Sequence, residues 1–397
     1  MNRDDQGIFS GWGRANYMGL VIAGLFALLV PLVLGGTRPF FQSFLFGWVF
    51  WVMIALGCFG LTLLHHILRG SWGLPVLRLF EAGNRTLPLM FLLFLPILLF
   101  GMHDLYEWTH ADVVARDPIL MQKAKYLNLP FFTIRFVVFF AIWIGLSTLL
   151  NRSTLKQDQT GDVRLADQRS NLAAPGFVLF FITMTFAFTD WVMSLQPHWF
   201  STIYGVWFVV GSGLSTMALV TWFVMRFADR PPYAGVVTPV LMKDLGNLMF
   251  AFTMLWAYIT LSQFLIIWHA DLPEEVTYYV RRYEGGWRAV GALIVLFQFF
   301  VPFLLLLSGR TKRTPGYLVL VAGLIFGVRI MDILWNVVPA FGRGGMNGVF
   351  FDLLAAAGIG ALWVSAFAYN LSRRPLLPSY DPRLESAASA SLEARHA

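Results

Sequence analysis

Ten long apolar runs make up most of the chain, at residues 17–34, 41–64, 87–101, 130–150, 176–193, 201–225, 246–268, 287–307, 314–338 and 348–369. Short polar segments separate them, and within a run the apolar positions are continuous rather than alternating. Alternation is what a lipid-facing barrel strand needs, so a β-barrel is excluded. A hydrocarbon core of about 30 Å takes about 20 apolar residues as a helix. The pattern therefore predicts an all-α, polytopic membrane protein with ten transmembrane helices in residues 17–372. A polar segment, 1–16, precedes them, and a tail, 373–397, rich in Pro, Ser and Ala, is expected to be mobile. The first run is expected to be a span rather than a signal peptide, because polar-rich residues precede it and no small-residue cleavage site follows.

Loop charge predicts the orientation. With the N-terminus inside, the inner segments carry 19 Lys and Arg and the outer loops 7, out of 29 in the chain. Such a bias places both termini in the cytoplasm, together with the longest inner loop, 151–174. The same asymmetry accounts for the net charge of +7, which therefore does not point to nucleic acid. Charged residues are 13% of the chain, against about 25% in soluble domains, which excludes a soluble enzyme. The 38 Phe and 15 Trp exclude a disordered chain. A single cysteine, Cys58, excludes a disulfide framework, a thiolate zinc site and a self-held iron–sulfur cluster.

Ionisable side chains inside a span cost about 2.5–3.5 kcal/mol on insertion scales, so each needs a partner or a purpose. The candidates are Arg135, Asp190, Arg329, Asp332 and Asp352, with His103, Asp104 and Glu107 ending span three and Lys243 and Asp244 entering span seven. Arg329, Asp332 and Asn336 share a helical face, either as a self-neutralising packing pair or as a polar lining for water and protons. Asp190 has no partner in its own helix, and Arg135 and Arg329 lie at comparable depth. In span seven, Asp244, Asn247, Tyr258 and Ser262 fall within about 60° on a helical wheel. Asn247 and Tyr258 are about 16 Å apart along the axis, so a proton wire between them would need water. Thr253, Thr260 and Gln263 point elsewhere and read as polar contacts between helices. All seven His lie at span ends or in loops, so paired axial haem ligands are not expected. No G-x-S-x-G occurs, and Cys58 reads as inert filling.

Four segments carry a resemblance: FTDWVMSLQPHWFSTIYGVWF (188–208), KDLGNLMFAFTMLWAYITLSQFLIIWHADLPEE (243–275), YLNLPFFTIR (126–135) and VRIMDILWNVVPAF (328–341). Together they resemble the polysulfide-reductase-like membrane subunits of alternative complex III, a bacterial quinol:electron-acceptor oxidoreductase, over roughly residues 10–372. By length the chain is most similar to the smaller of the two sibling subunits, the one labelled quinone-binding subunit 2. The resemblance implies two four-helix bundles, spans two to five and six to nine, plus two peripheral helices. It implies a place in the bacterial inner membrane beside the sibling subunit, an iron–sulfur subunit and c-type cytochrome subunits. Proton half-channels proposed for the family would fall on Asp190, His198, Arg135, Asp244, Arg329 and Asp332, joined here by Tyr258 and Ser262 from the span-seven stripe. The expected function is that of a membrane subunit, inactive alone and without its own redox centre, that supports assembly and proton translocation coupled to quinol oxidation. No cofactor is expected on the chain itself, and a quinone, if bound, would sit at a subunit interface. A secondary transporter and a purely structural membrane anchor are the alternatives.

Overall fold

A computed structural model describes residues 12–378. Among these, ten helices are long and apolar enough to cross a membrane, and there is no strand. They are Arg14–Gly35, Thr37–Leu68, Leu77–Leu105, Leu129–Thr160, Arg164–Leu195, Tyr204–Arg226, Pro239–Ala270, Trp287–Leu307, Pro315–Phe341 and Val349–Ser372, numbered one to ten below. Successive spans alternate in direction. One end of the molecule, the turn end, carries the three residues between spans four and five. The opposite cap end carries residues 106–128, 196–203 and the amphipathic helix Pro273–Tyr283.

Spans two to five close into a ring in which each span packs on the next and span five returns to span two. Spans six to nine close a second ring in the same way. Spans two and six join the rings and are the most enclosed, with 89% and 83% of their apolar windows buried. Spans one and ten pack on each other and against span two. Small residues permit the close approaches, as expected where lipid gives no hydrophobic drive for helices to associate. A Cβ on Gly57 would lie 2.2 Å from Thr216 Oγ1 and 2.4 Å from the Ser212 carbonyl, so the seam between the rings needs glycine there. Gly24 and Gly358 meet backbone to backbone between spans one and ten.

Three segments differ from the hydropathy reading. The expected inner loop 151–174 is almost entirely helical: span four runs to Thr160, Gly161 caps it at φ 67°, and span five begins at Arg164. Polar residues such as Lys156, Gln157 and Asp158 are compatible with a helix that continues past the apolar zone. Span three begins at Leu77, ten residues before its apolar run, which places Arg78, Glu81 and Asn84 inside the helical bundle. Residues 373–378, expected as the start of a mobile tail, are packed at the turn end, with Leu376 buried and Arg374 bonded to Glu81. The rest of that tail and residues 1–11 lie outside the described residues. Spans three and eight each contain a π turn, Ile97–Gly101 following Pro96 and Val295–Phe300 preceding Pro302. Proline disrupts the ordinary helical hydrogen-bond ladder, and a π turn is one way of accommodating it.

Candidate functional site

The buried charges form layers at the two ends of the bundles. At the cap end of the first bundle, Arg135 of span four meets Asp190 of span five in a two-pronged pair, Nε to Oδ2 at 2.7 Å and Nη2 to Oδ1 at 2.9 Å. Planar, paired hydrogen bonds are the strong form of this contact. Arg135 Nη1 also donates to the Tyr126 carbonyl at 3.0 Å. The rings of Tyr126 and Phe131 lie 3.8 and 4.3 Å from its guanidinium carbon. Of the two arginines at comparable depth, Arg135 is thus the partner of Asp190.

Arg329 instead pairs with Asp332 on its own helix, as their spacing allowed. Trp256 Nε1 of span seven donates to Asp332 Oδ2 at 3.0 Å, Asn336 Nδ2 donates to Oδ1 at 3.2 Å, and Arg329 Nε donates to Ser215 Oγ at 3.1 Å. The cap helix plugs this end of the ring. Its Tyr278 hydroxyl donates to Asn336 Oδ1 at 2.5 Å. Burial pushes the Tyr278 hydroxyl up, which keeps it a donor. Arg282 donates to the carbonyls of Trp335, Asn336 and Tyr278, which places its cation at the C-terminal end of span nine, the favourable end of the helix dipole. A third buried acid, Asp352, accepts from Ser43 and Arg343 between spans two and ten.

The two main acids occupy matching places. Asp190, Ser194, Pro197 and Trp199 recur at the spacing of Asp332, Asn336, Pro339 and Phe341. In both, the side chain four residues on donates back to the aspartate's carbonyl. Spans five and nine hold corresponding positions four spans apart, so the two rings run in the same direction. That is a parallel internal repeat, not an inverted one.

Hydropathy alone missed the turn-end layer of the first bundle. Arg78 pairs with Glu81 at 2.5 Å and with Asp158 of span four, and Arg374 reaches Glu81 at 3.3 Å. Below them Asn84 accepts from Ser147 at 2.9 Å and Asn151 at 2.8 Å, and donates to Thr62 at 3.0 Å. The signal was present as charged residues at helical spacing just before the third apolar run. Arg135 and Ser147 are twelve residues apart on span four, about 18 Å. Aromatic side chains fill that gap: Trp48, Phe94, Phe136, Phe140 and Trp191 pack ring on ring. A polar link within the gap runs from Trp143 Nε1 to Thr183 Oγ1, at 2.9 Å.

The remaining sequence candidates do not join these layers. Tyr258 is 67% exposed on the outer face of span seven; Ser262 one turn on and Asp244 near the start of the span are half-buried. The inward face is the one bearing Thr253, Trp256 and Gln263. At the turn end of this span, Asn247 accepts from Lys312 at 2.7 Å. His198 lies on the cap surface, bonded to Asp117 at 2.5 Å, and that hydrogen bond holds the Asp117 carboxyl below its usual range. Among the described residues, no group of three or more His, Cys, Asp or Glu side chains is placed to hold a metal ion.

The chain matches no protein-family profile, and no curated protein matches it significantly in sequence.

Proposed function

We propose that the chain is a multi-pass subunit of a quinol-oxidising respiratory complex of the alternative complex III type, in the bacterial inner membrane with both termini in the cytoplasm. It has no redox centre of its own, and it holds partner subunits while supporting proton movement coupled to quinol oxidation. The observation that carries this reading is the doubled acid: Asp190 and Asp332 stand at equivalent places in two parallel rings, each buried beside an arginine at the cap end of its span. Intramembrane acids with nearby cations mark ion and proton paths as well as helix clamps. The polar layer of Asn84, Ser147 and Asn151 beneath the turn end gives the first bundle a second polar station. The parallel repeat lends nothing to a transporter built on inverted halves.

The clamp reading is favoured by one feature, the two-pronged geometry of Arg135 on Asp190. The partner assignment has a direct test. The tagged full-length chain, purified in mild detergent, is expected to bring with it a sibling membrane subunit, an iron–sulfur protein and c-type cytochromes, while the separated chain shows no haem absorbance. Isolation as a stable homo-oligomer with none of these partners would contradict the assignment.

A further inference from the structure

At the turn end, where span three enters its ring, lies a cavity of about 30 Å³ whose wall includes His66, Leu77, Arg78, Thr154, Asp158 and Pro378. Two polar atoms on this wall are buried and lack a hydrogen-bond partner within the described chain: His66 Nε2 and Arg78 Nε. Their residues are only 6% and 2% exposed. Buried polar groups in folded proteins are rarely left unbonded, because desolvation without a replacement partner is costly. A water needs roughly 10–15 Å³ on this measure and two to four polar partners, so the space suits about two. Three arginines, Arg69, Arg78 and Arg169, line the space beside Asp158, so a cation is excluded and the rival occupant is a small anion, which bromide exchange detects. Water can accept from Arg78 Nε and bond His66 Nε2 in the same space.

We propose that this cavity is a hydration site holding about two ordered waters on His66 Nε2 and Arg78 Nε, and that residues 373–378 are its cover. Pro378 forms part of the wall, and Arg374 Nη1 crosses to Glu81 Oε2 at 3.3 Å and Asn151 Oδ1 at 3.4 Å. Arg374 thereby ties the site to the Asn151–Asn84 pair below it. If the proton reading above holds, this is the end at which the first bundle meets water; the hydration site itself does not depend on that reading.

The test uses the assembled complex. A high-resolution cryo-EM map should show density within hydrogen-bond reach of both His66 Nε2 and Arg78 Nε, unchanged when bromide replaces chloride. A cavity without density, or a peak that grows with bromide, would overturn the proposal. The cover is tested with Leu77→Cys in a Cys58→Ala background, using a small, membrane-impermeant thiosulfonate. Arg374→Ala should speed labelling on the order of tenfold, since a hydrogen bond to a charged group is worth at least that factor, and Arg374→Lys should restore slow labelling. Equal rates in all three forms would rule out the cover. Waters in place, with Arg374→Ala leaving proton release per quinol unchanged, would confirm the hydration site while counting against a proton role for it.

Discussion

Arg78→Leu is expected to be the most damaging single change at the turn end. It removes the cation between Glu81 and Asp158 and leaves Arg374 as the remaining positive partner, at 3.3 Å from Glu81. The Glu81 side chain is 2% exposed, so water does little to relieve the repulsion. Breaking a buried pair by removing one member costs about 3–5 kcal/mol, which is a large part of the stability of a typical domain. The expected result is a chain that is degraded or that elutes as aggregate in detergent size-exclusion chromatography. Adding Glu81→Gln and Asp158→Asn to Arg78→Leu should recover much of the folded peak, because the uncompensated charges are then gone. No recovery in the triple variant would show that Arg78 matters through its packing rather than its charge.

The two members of the cap-end pair should behave unequally. Arg135→Gln leaves the Asp190 carboxylate without either of its arginine bonds, in a layer of Trp and Phe rings, and is expected to lower assembly by a comparable 3–5 kcal/mol. Asp190→Asn leaves Arg135 its bond to the Tyr126 carbonyl and the faces of two aromatic rings, which still stabilise a cation. The amide can also accept one of the two original bonds. Asp190→Asn should therefore assemble, and Arg135→Gln should be partly rescued by adding Asp190→Asn. Equal loss of assembled complex in both single variants would show that the pair is a clamp whose two halves are both indispensable.

The architecture was largely legible in the amino-acid order, because lipid imposes one rule, a long apolar helix, and the ten runs obey it. Hydropathy failed where a helix continues into polar residues. Residues 151–174 and the stretch from Leu77 to Thr86 look like loops to a scale that measures preference for oil, whereas the backbone ladder sets where a helix ends. That is why hydropathy passes over Arg78, Glu81 and Asn84. Asp190 was singled out correctly as an acid needing an arginine from another span, but depth along the helix could not separate Arg135 from Arg329. Rotation about each helix axis decides between them, and continuous apolar runs carry little rotational signal. The same weakness affects span seven. The wheel identified residues sharing a face with Tyr258 but not the side on which that face lies, and Tyr258 points outward. The Arg329–Asp332 pair was legible because it is local, three residues apart on one helix. The echo between Asp190–Trp199 and Asp332–Phe341 was also present in the sequence, but it spans unlike residues, Ser194 against Asn336 and Trp199 against Phe341. The order of packing makes the equivalence clear, since each acid lies in the last span of its ring.

The proposed role in proton movement rests on Asp190 exchanging protons rather than only holding two spans together. The most direct measurement is the number of protons released per quinol oxidised by proteoliposomes containing the complex with Asp190→Asn in this chain. The predicted result is a fully assembled complex, with its partner subunits present, that still oxidises quinol but releases fewer protons per quinol than the unaltered complex. An assembled Asp190→Asn complex with an unaltered proton ratio would contradict it.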